Sequence, residues 1–243
     1  MRTHPPGALG VKRQLALDLA ARERLAAQDF LPAASNRAAL AVVTAWPAWP
    51  STAAVVTGPP GSGKTHLAGI WAKRVGALAL DAAEVWSIAD PLRRLGDACA
   101  CVIDDADAVE DEVLLLQLYN LLQERGGHLL LTGTLPLHRW HLALPDLLSR
   151  LRTAWAASIE PPDDALLRAL LAKHFHDRQL RVPAAVLDCL AAGMTPSFAA
   201  ARRVAAALDS ASLLAGRPIT TRLAKGVLAD LAPKSAPPSS RTG

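Results

Sequence analysis

The chain has 243 residues, 51% of them hydrophobic and 4% aromatic, with 26 lysines and arginines against 22 acids and a formal net charge of +4. That length suits one α/β core with a small accessory domain, each able to bury a core of its own. No stretch reaches the roughly eighteen apolar residues of a membrane span, no signal peptide is recognisable, and no basic run is dense enough to demand nucleic acid, so a soluble cytoplasmic protein with no membrane partner is expected.

In chain order, the polar, proline-bearing start, together with the residues up to 28, reads as a disordered arm. An α/β domain is expected over 29–160. Its candidate strands are Ala53–Thr57, Ala77–Leu80, Ala100–Asp104, His128–Thr132 and Ala154–Ile159. Helices are expected at Lys64–Val75, near Ala82–Ile88 and at Glu110–Arg125, where Val113, Leu116, Leu118, Leu121 and Leu122 offer a broad apolar face. Alternation of this kind predicts a five-stranded parallel sheet covered on both sides. The pattern changes at Glu160-Pro161-Pro162-Asp163, where two prolines block a helix and Asp163 offers an N-cap to the next one. Only helices follow, near 163–178, 183–192, 197–214 and 220–231, giving a small all-α domain over 161–232. The tail, 233–243, is rich in proline and serine and reads as disordered.

Two motifs carry chemistry. Gly58-Pro59-Pro60-Gly61-Ser62-Gly63-Lys64-Thr65 fits the phosphate-binding loop at every fixed position, between an apolar β-branched run and a helix-forming one. Its glycines let backbone N–H groups turn onto phosphates at a helix N-terminus, with Lys64 reaching the terminal phosphates and the Thr65 hydroxyl on magnesium. The second motif, Cys101-Val102-Ile103-Asp104-Asp105, is a buried strand delivering Asp104 to the same metal and Asp105 to a water. A glycine-rich loop alone can be an ordinary turn; the pair points to a bound ADP or ATP with Mg²⁺. Cys99, Cys101 and Cys189 have no metal-site spacing and read as buried thiols in a reducing compartment. His138 and His141 flank Trp140 in a loop, while His174 and His176 fall on different sides of a helix, so neither pair suggests a metal site. Trp46 and Trp49, alternating with prolines, read as a packed connector more than as a stacking platform for bases.

With these motifs in place, the chain resembles the DnaA/Hda branch of the AAA+ ATPases, the Hda regulators of bacterial replication initiation in particular. The resemblance spans about Gln14 to Leu231. Its carriers are Gln14-Leu15-Ala16-Leu17-Asp18-Leu19, Asp29-Phe30-Leu31, Ser35-Asn36-Arg37, Gly63-Lys64-Thr65-His66-Leu67, Ile103-Asp104-Asp105, the segment Leu144 to Leu151, and Gly216-Arg217-Pro218-Ile219-Thr220. It implies an AAA+ nucleotide-binding domain with a helical lid, adenine near Phe30 and Leu31, and His66 and Thr132 at the nucleotide. DnaA proteins continue into a helix-turn-helix; none is expected here, which favours the Hda side.

The resemblance implies that residues 14–19 dock on the DNA polymerase sliding clamp. Extended, Leu15, Leu17 and Leu19 share a face, with Gln14 as an amide anchor; the same leucines also fit an amphipathic helix. DNA would then be reached indirectly, through the clamp. Arg150 matches the arginine that AAA+ proteins present to a neighbour's γ-phosphate, a contribution of roughly 10³–10⁵ in rate. A solvated surface arginine is the plain alternative, and Arg139 and Arg152 lie near. Leu147, Leu148 and Leu151 would bury the helix and hold Arg150 outward.

There are departures from the family pattern. Phe198 stands where a lid arginine is expected, and Arg202, one turn on, could substitute for it. The first sensor reads Thr132-Gly133-Thr134 where DnaA proteins tend to carry an acid. Weak intrinsic hydrolysis is therefore expected, with stimulation of DnaA-bound ATP hydrolysis as the main output. Two other readings stay open: an independent AAA+ ATPase such as a helicase loader, working as a homo-oligomer, and a non-catalytic adaptor at the origin. A homodimer is compatible with the first reading.

Overall fold

The computed structural model describes residues 30–82 and 91–231. The candidate clamp-binding residues Gln14, Leu15, Leu17 and Leu19, the expected helix beyond Ala82 and the 233–243 tail lie outside them. The described residues form two compact units that divide between Glu160 and Pro161, with the loop residues Pro60–Ser62 counted in the second.

The first unit is built on five strands: β1 Ala53–Thr57, β2 Leu78–Asp81, β3 Ala100–Asp104, β4 His128–Gly133 and β5 Trp155–Ser158. Their spatial order is β2-β3-β4-β1-β5, and every pairing is parallel. Every residue of β1 is buried, as an unbroken apolar run in the middle of a parallel sheet requires. Register sets Asp81 beside Asp104, and Thr57 beside both Gly133 and Ser158. The C-terminal ends of the strands therefore finish along one edge.

The helices of this unit are α1 Arg37–Thr44, α2 Lys64–Val75, the short α3 Pro91–Leu95, α4 Glu112–Glu124 and α5 Pro145–Arg152. α4 begins where the Asp111 carboxylate accepts the Leu114 N–H at 2.9 Å. Its buried face is Leu115, Leu118, Tyr119 and Leu122, packed with Ile103, Leu129, Leu131, Leu147 and Leu151. Each fully buried leucine contributes about 1.5–3 kcal/mol. This corrects the expected face: Val113 points away from that core and is 55% exposed. The run from 113 to 122 is apolar at so many positions that periodicity cannot choose the side.

β2 sits one residue later than expected, which adds Asp81 to the strand end. The expectation of three buried thiols also needs correction: Cys101 is buried, Cys99 is exposed and Cys189 lies between. Burial pushes the Cys101 thiol up to about 12, well outside the reactive range. Near the start of β4, Trp49 stacks on Trp71 at 5.1 Å and meets His128 edge-on at 5.3 Å. Its indole N–H donates to the Val42 carbonyl at 2.7 Å, so this tryptophan is part of the core.

The second unit is all helical: α6 Asp164–Asp177, α7 Ala184–Gly193, α8 Phe198–Ala215 and α9 Thr221–Leu231. Asp163 caps α6 by accepting the Leu166 N–H at 2.7 Å. Leu167, Leu171, Phe175, Leu190, Ala205 and Leu208 form its core. Among the described residues no helix is long and apolar enough to cross a membrane.

Candidate functional site

The phosphate-loop residues lie between β1 and α2, and their backbone explains their composition. Gly61 and Gly63 have φ of +78° and +94°. A Cβ on Gly63 would also stand 3.1 Å from the Phe30 ring. Lys64 is buried, and its ammonium donates to the carbonyls of Gly58 at 2.8 Å and Pro59 at 3.3 Å. Ser62 is buried with no hydrogen-bond partner for its hydroxyl.

These features fit a phosphate chain: a buried cation on neutral carbonyls, an orphaned buried hydroxyl, and a helix N-terminus with no side-chain cap. Thr65 is exposed and, with Asp104 and Asp81, lines a cavity of about 420 Å³ that continues along α2 over Ala68, Ala72 and Val102. Hydroxyl and carboxylate oxygens are the donor set that a hard divalent cation prefers.

Asp104 ends β3, and its carboxylate accepts the hydroxyl of Thr132 on neighbouring β4. The same hydroxyl oxygen accepts the Asp105 N–H at 3.0 Å. Asp105 takes a left-handed backbone, φ +52°, just where the strand stops. Burial raises its carboxyl above the usual range, helped by the like charges of Asp104, Asp107 and Asp81 and opposed by Lys64. A carboxylate in such company accepts a proton more readily than an isolated one.

Phe30 and His66 stack, with ring centroids 5.9 Å apart and planes 9° from parallel. The loop that carries Phe30 and Leu31 is fixed by Asn36, which sequence reading cited only within a motif. Its buried amide donates to the Leu31 carbonyl at 2.8 Å and accepts the Ala33 N–H at 2.9 Å. Within the first unit, Gly63, Lys64, Thr65, Phe30, His66, Asp104, Asp105 and Thr132 therefore gather at the edge where the strands end.

Arg150 stands apart, in the last turn of α5. Leu147 and Leu151 are fully buried and Leu148 partly so, which fixes the helix on the core. Arg150 is not freely solvated, however. Its Nε donates to Asp146 at 3.1 Å, its Nη1 donates to Gln123 at 2.9 Å, and its guanidinium lies 5.3 Å from the Tyr119 ring centroid. Such a cation–π contact contributes about 0.5–1 kcal/mol at an exposed site. Arg202 is exposed on α8, one turn after the buried Phe198.

Two carboxylates that sequence reading missed tie these parts together. Asp107 accepts the N–H groups of Thr134 (2.8 Å) and Leu135 (2.9 Å). Glu112 accepts those of Ala143 (2.8 Å) and Leu144 (2.7 Å). Each pairing spans about thirty residues of sequence, so no local pattern announces it.

No family model and no curated protein matches the sequence. Solved structures do. Domain III of the Thermotoga maritima replication initiation protein DnaA matches with a TM-score of 0.68 at 18% identity, over 84% of this chain and 95% of that one. AMPPCP-bound DnaA from Aquifex aeolicus gives 0.60 at 17%, over 73% of this chain and 62% of that one. A Thermotoga maritima RuvB mutant gives 0.61 at 16%, over 81% and 68%. The chain has the AAA+ fold. It spans about three-fifths of the longer DnaA chain, and at these identities the likeness speaks of fold.

Proposed function

We propose that this AAA+ protein is an Hda-like negative regulator of replication initiation, which binds ADP or ATP and stimulates ATP hydrolysis on the initiator DnaA. The observation that carries the reading is a nucleotide-type site at the strand edge together with a separate, part-exposed arginine oriented on α5. Lys64, Ser62 and the loop N–H groups would hold phosphates, Thr65 and Asp104 would hold Mg²⁺, and Phe30 and Leu31 would line the base. The bound nucleotide and metal supply the phosphate charge and its neutralisation. This chain's own residues do the rest. Lys64 exchanges its carbonyl contacts for anionic oxygens, Thr132 keeps Asp104 and Asp105 in register, and Asp105 orients water. We assign Arg202 to the nucleotide as well.

Gln14–Leu19 would dock on the DNA-loaded sliding clamp, raising the effective concentration of Arg150 at neighbouring DnaA. Arg150 then meets charge developing on the γ-phosphate of DnaA-bound ATP. The test is hydrolysis of ATP on the DnaA of the same organism, with clamp-loaded DNA. Wild type should accelerate it, and Arg150→Ala should bind the clamp without accelerating it. One observation favours a second reading, an independent ATPase working as a homo-oligomer: Lys64, Thr65, Asp104 and Asp105 are all present at one edge. Turnover by this chain alone, with no effect on DnaA, would establish that reading in place of the first.

A further inference from the structure

The strongest unassigned feature is the set of contacts around Arg150. An arginine side chain loses considerable rotamer freedom when it is placed against a target, and a planar guanidinium recovers that cost when held in advance. Three side chains hold this one from three directions. Asp146, one turn earlier on α5, takes Nε at 3.1 Å. Gln123, on the other helix, takes Nη1 at 2.9 Å. Tyr119, one turn before Gln123 and itself buried, supports the flat face at 5.3 Å. A guanidinium has five N–H donors. The hydrogen bonds to Asp146 and Gln123 use two of them, leaving three, including both on Nη2, for another acceptor.

Gln123 is neutral and Tyr119 presents a π face, so neither cancels the positive charge. The carboxylate of Asp146 is exposed, at 58%, where solvent screens its attraction. The arrangement fixes direction and keeps most of the donor capacity. Tyr119 also belongs to the core cluster that includes Ile103 of β3, so the cradle is part of the folded sheet unit and not a loop contact.

We propose that Tyr119 and Gln123 are positioning residues for Arg150, a cradle that orients the guanidinium toward a phosphate on a partner protein. This rests on the reading of Arg150 as a residue that acts on a partner's nucleotide. Truncating the cradle lowers the rate of the stimulated step and leaves the affinity for the partner unchanged.

The experiment measures single-turnover hydrolysis of ATP bound to the DnaA of the same organism, with clamp-loaded DNA and increasing amounts of this protein. Wild type, Arg150→Ala, Gln123→Ala, Tyr119→Phe and Tyr119→Leu are compared, and thermal unfolding checks that each is folded. Gln123→Ala and Tyr119→Leu should lower the maximal rate about tenfold at unchanged half-saturating concentration. Tyr119→Phe, which keeps the ring, should stay within about twofold of wild type. A second readout is independent of activity: the Arg150 Nη1 protons, whose acceptor is Gln123, should be resolved and slow to exchange in wild type and in Tyr119→Phe, and averaged by fast rotation of the guanidinium in Gln123→Ala and Tyr119→Leu.

Wild-type maximal rates in both truncations, beside an inactive Arg150→Ala, would overturn the cradle and leave the finger reading standing. Full activity in Arg150→Ala would overturn both. If Tyr119→Leu is poorly folded, Gln123→Ala decides through the same rate and exchange measurements, because Gln123 is exposed.

Discussion

The hydroxyl of Thr132 on β4 donates to the carboxylate of Asp104 on β3. The same oxygen receives the Asp105 N–H, so one side chain holds both acidic residues at the end of the strand. Thr132→Val keeps the shape and removes both bonds, leaving a part-buried N–H without its partner. We expect a loss of about 1–3 kcal/mol in stability, and Mg²⁺-dependent nucleotide binding weakened beyond that of Thr134→Val. Denaturant unfolding and a nucleotide titration with and without Mg²⁺ check the two parts.

Asp105 gives a prediction of opposite sign. Its carboxyl is raised in the fold, first by burial and then by Asp104, so the folded state holds the proton more tightly than the unfolded chain does. Stability from this group is therefore full below the usual carboxylate range and is lost as pH rises through the raised value. At pH 7 and without nucleotide, Asp105→Asn should raise the melting temperature by about 2 °C, while slowing whatever hydrolysis the site performs. A lower melting temperature in the asparagine form would remove the like-charge account.

Gly133 closes β4 beside the sensor position. A Cβ there would stand 2.7 Å from Trp140 and 3.2 Å from the Asp107 carboxyl. Gly133→Ala should cost about 1–3 kcal/mol and change the Trp140 fluorescence, whereas Gly69→Ala, in open space, should do neither.

Two histidines run the other way with pH. Burial lowers His128 in the first unit, and it lowers His174 in the second with help from Arg178. Each contributes stability that is full above the ordinary histidine value and declines as pH falls through it toward the lowered one. Melting temperature should fall between about pH 7.5 and pH 5.5. Proton NMR should show both imidazoles titrating below free histidine. His128→Phe should remove the part seen by tryptophan fluorescence, since Trp46 and Trp49 flank that ring.

Much of this was legible in the sequence, for reasons that residues make plain. β1 and β3 are buried apolar runs that end on a glycine loop and on an aspartate, so both strand and motif announce themselves. Asp163 and the prolines before it mark the start of the helical unit as plainly. The α3 segment is a single turn, and α1 is eight residues of mostly alanine and valine, too short for length to separate a helix from a strand. On α4 the expected Leu116, Leu118, Leu121 and Leu122 do meet the core, but apolar residues occupy nearly every side, so only packing excludes Val113 and selects Leu115 and Tyr119. The grips of Asp107, Glu112 and Gln123 join residues 27 to 32 apart, distances over which sequence carries no register.

Asp107 and Glu112 each take two main-chain N–H groups, at 134–135 and 143–144. Neither reads a side chain in the stretch it anchors. Homologues can therefore exchange the exposed Thr134, Leu135 or Ala143 for most residues other than proline and keep the same path from strand end to α5. Variation should thus concentrate in the anchored stretch, and constraint in the two acids that anchor it.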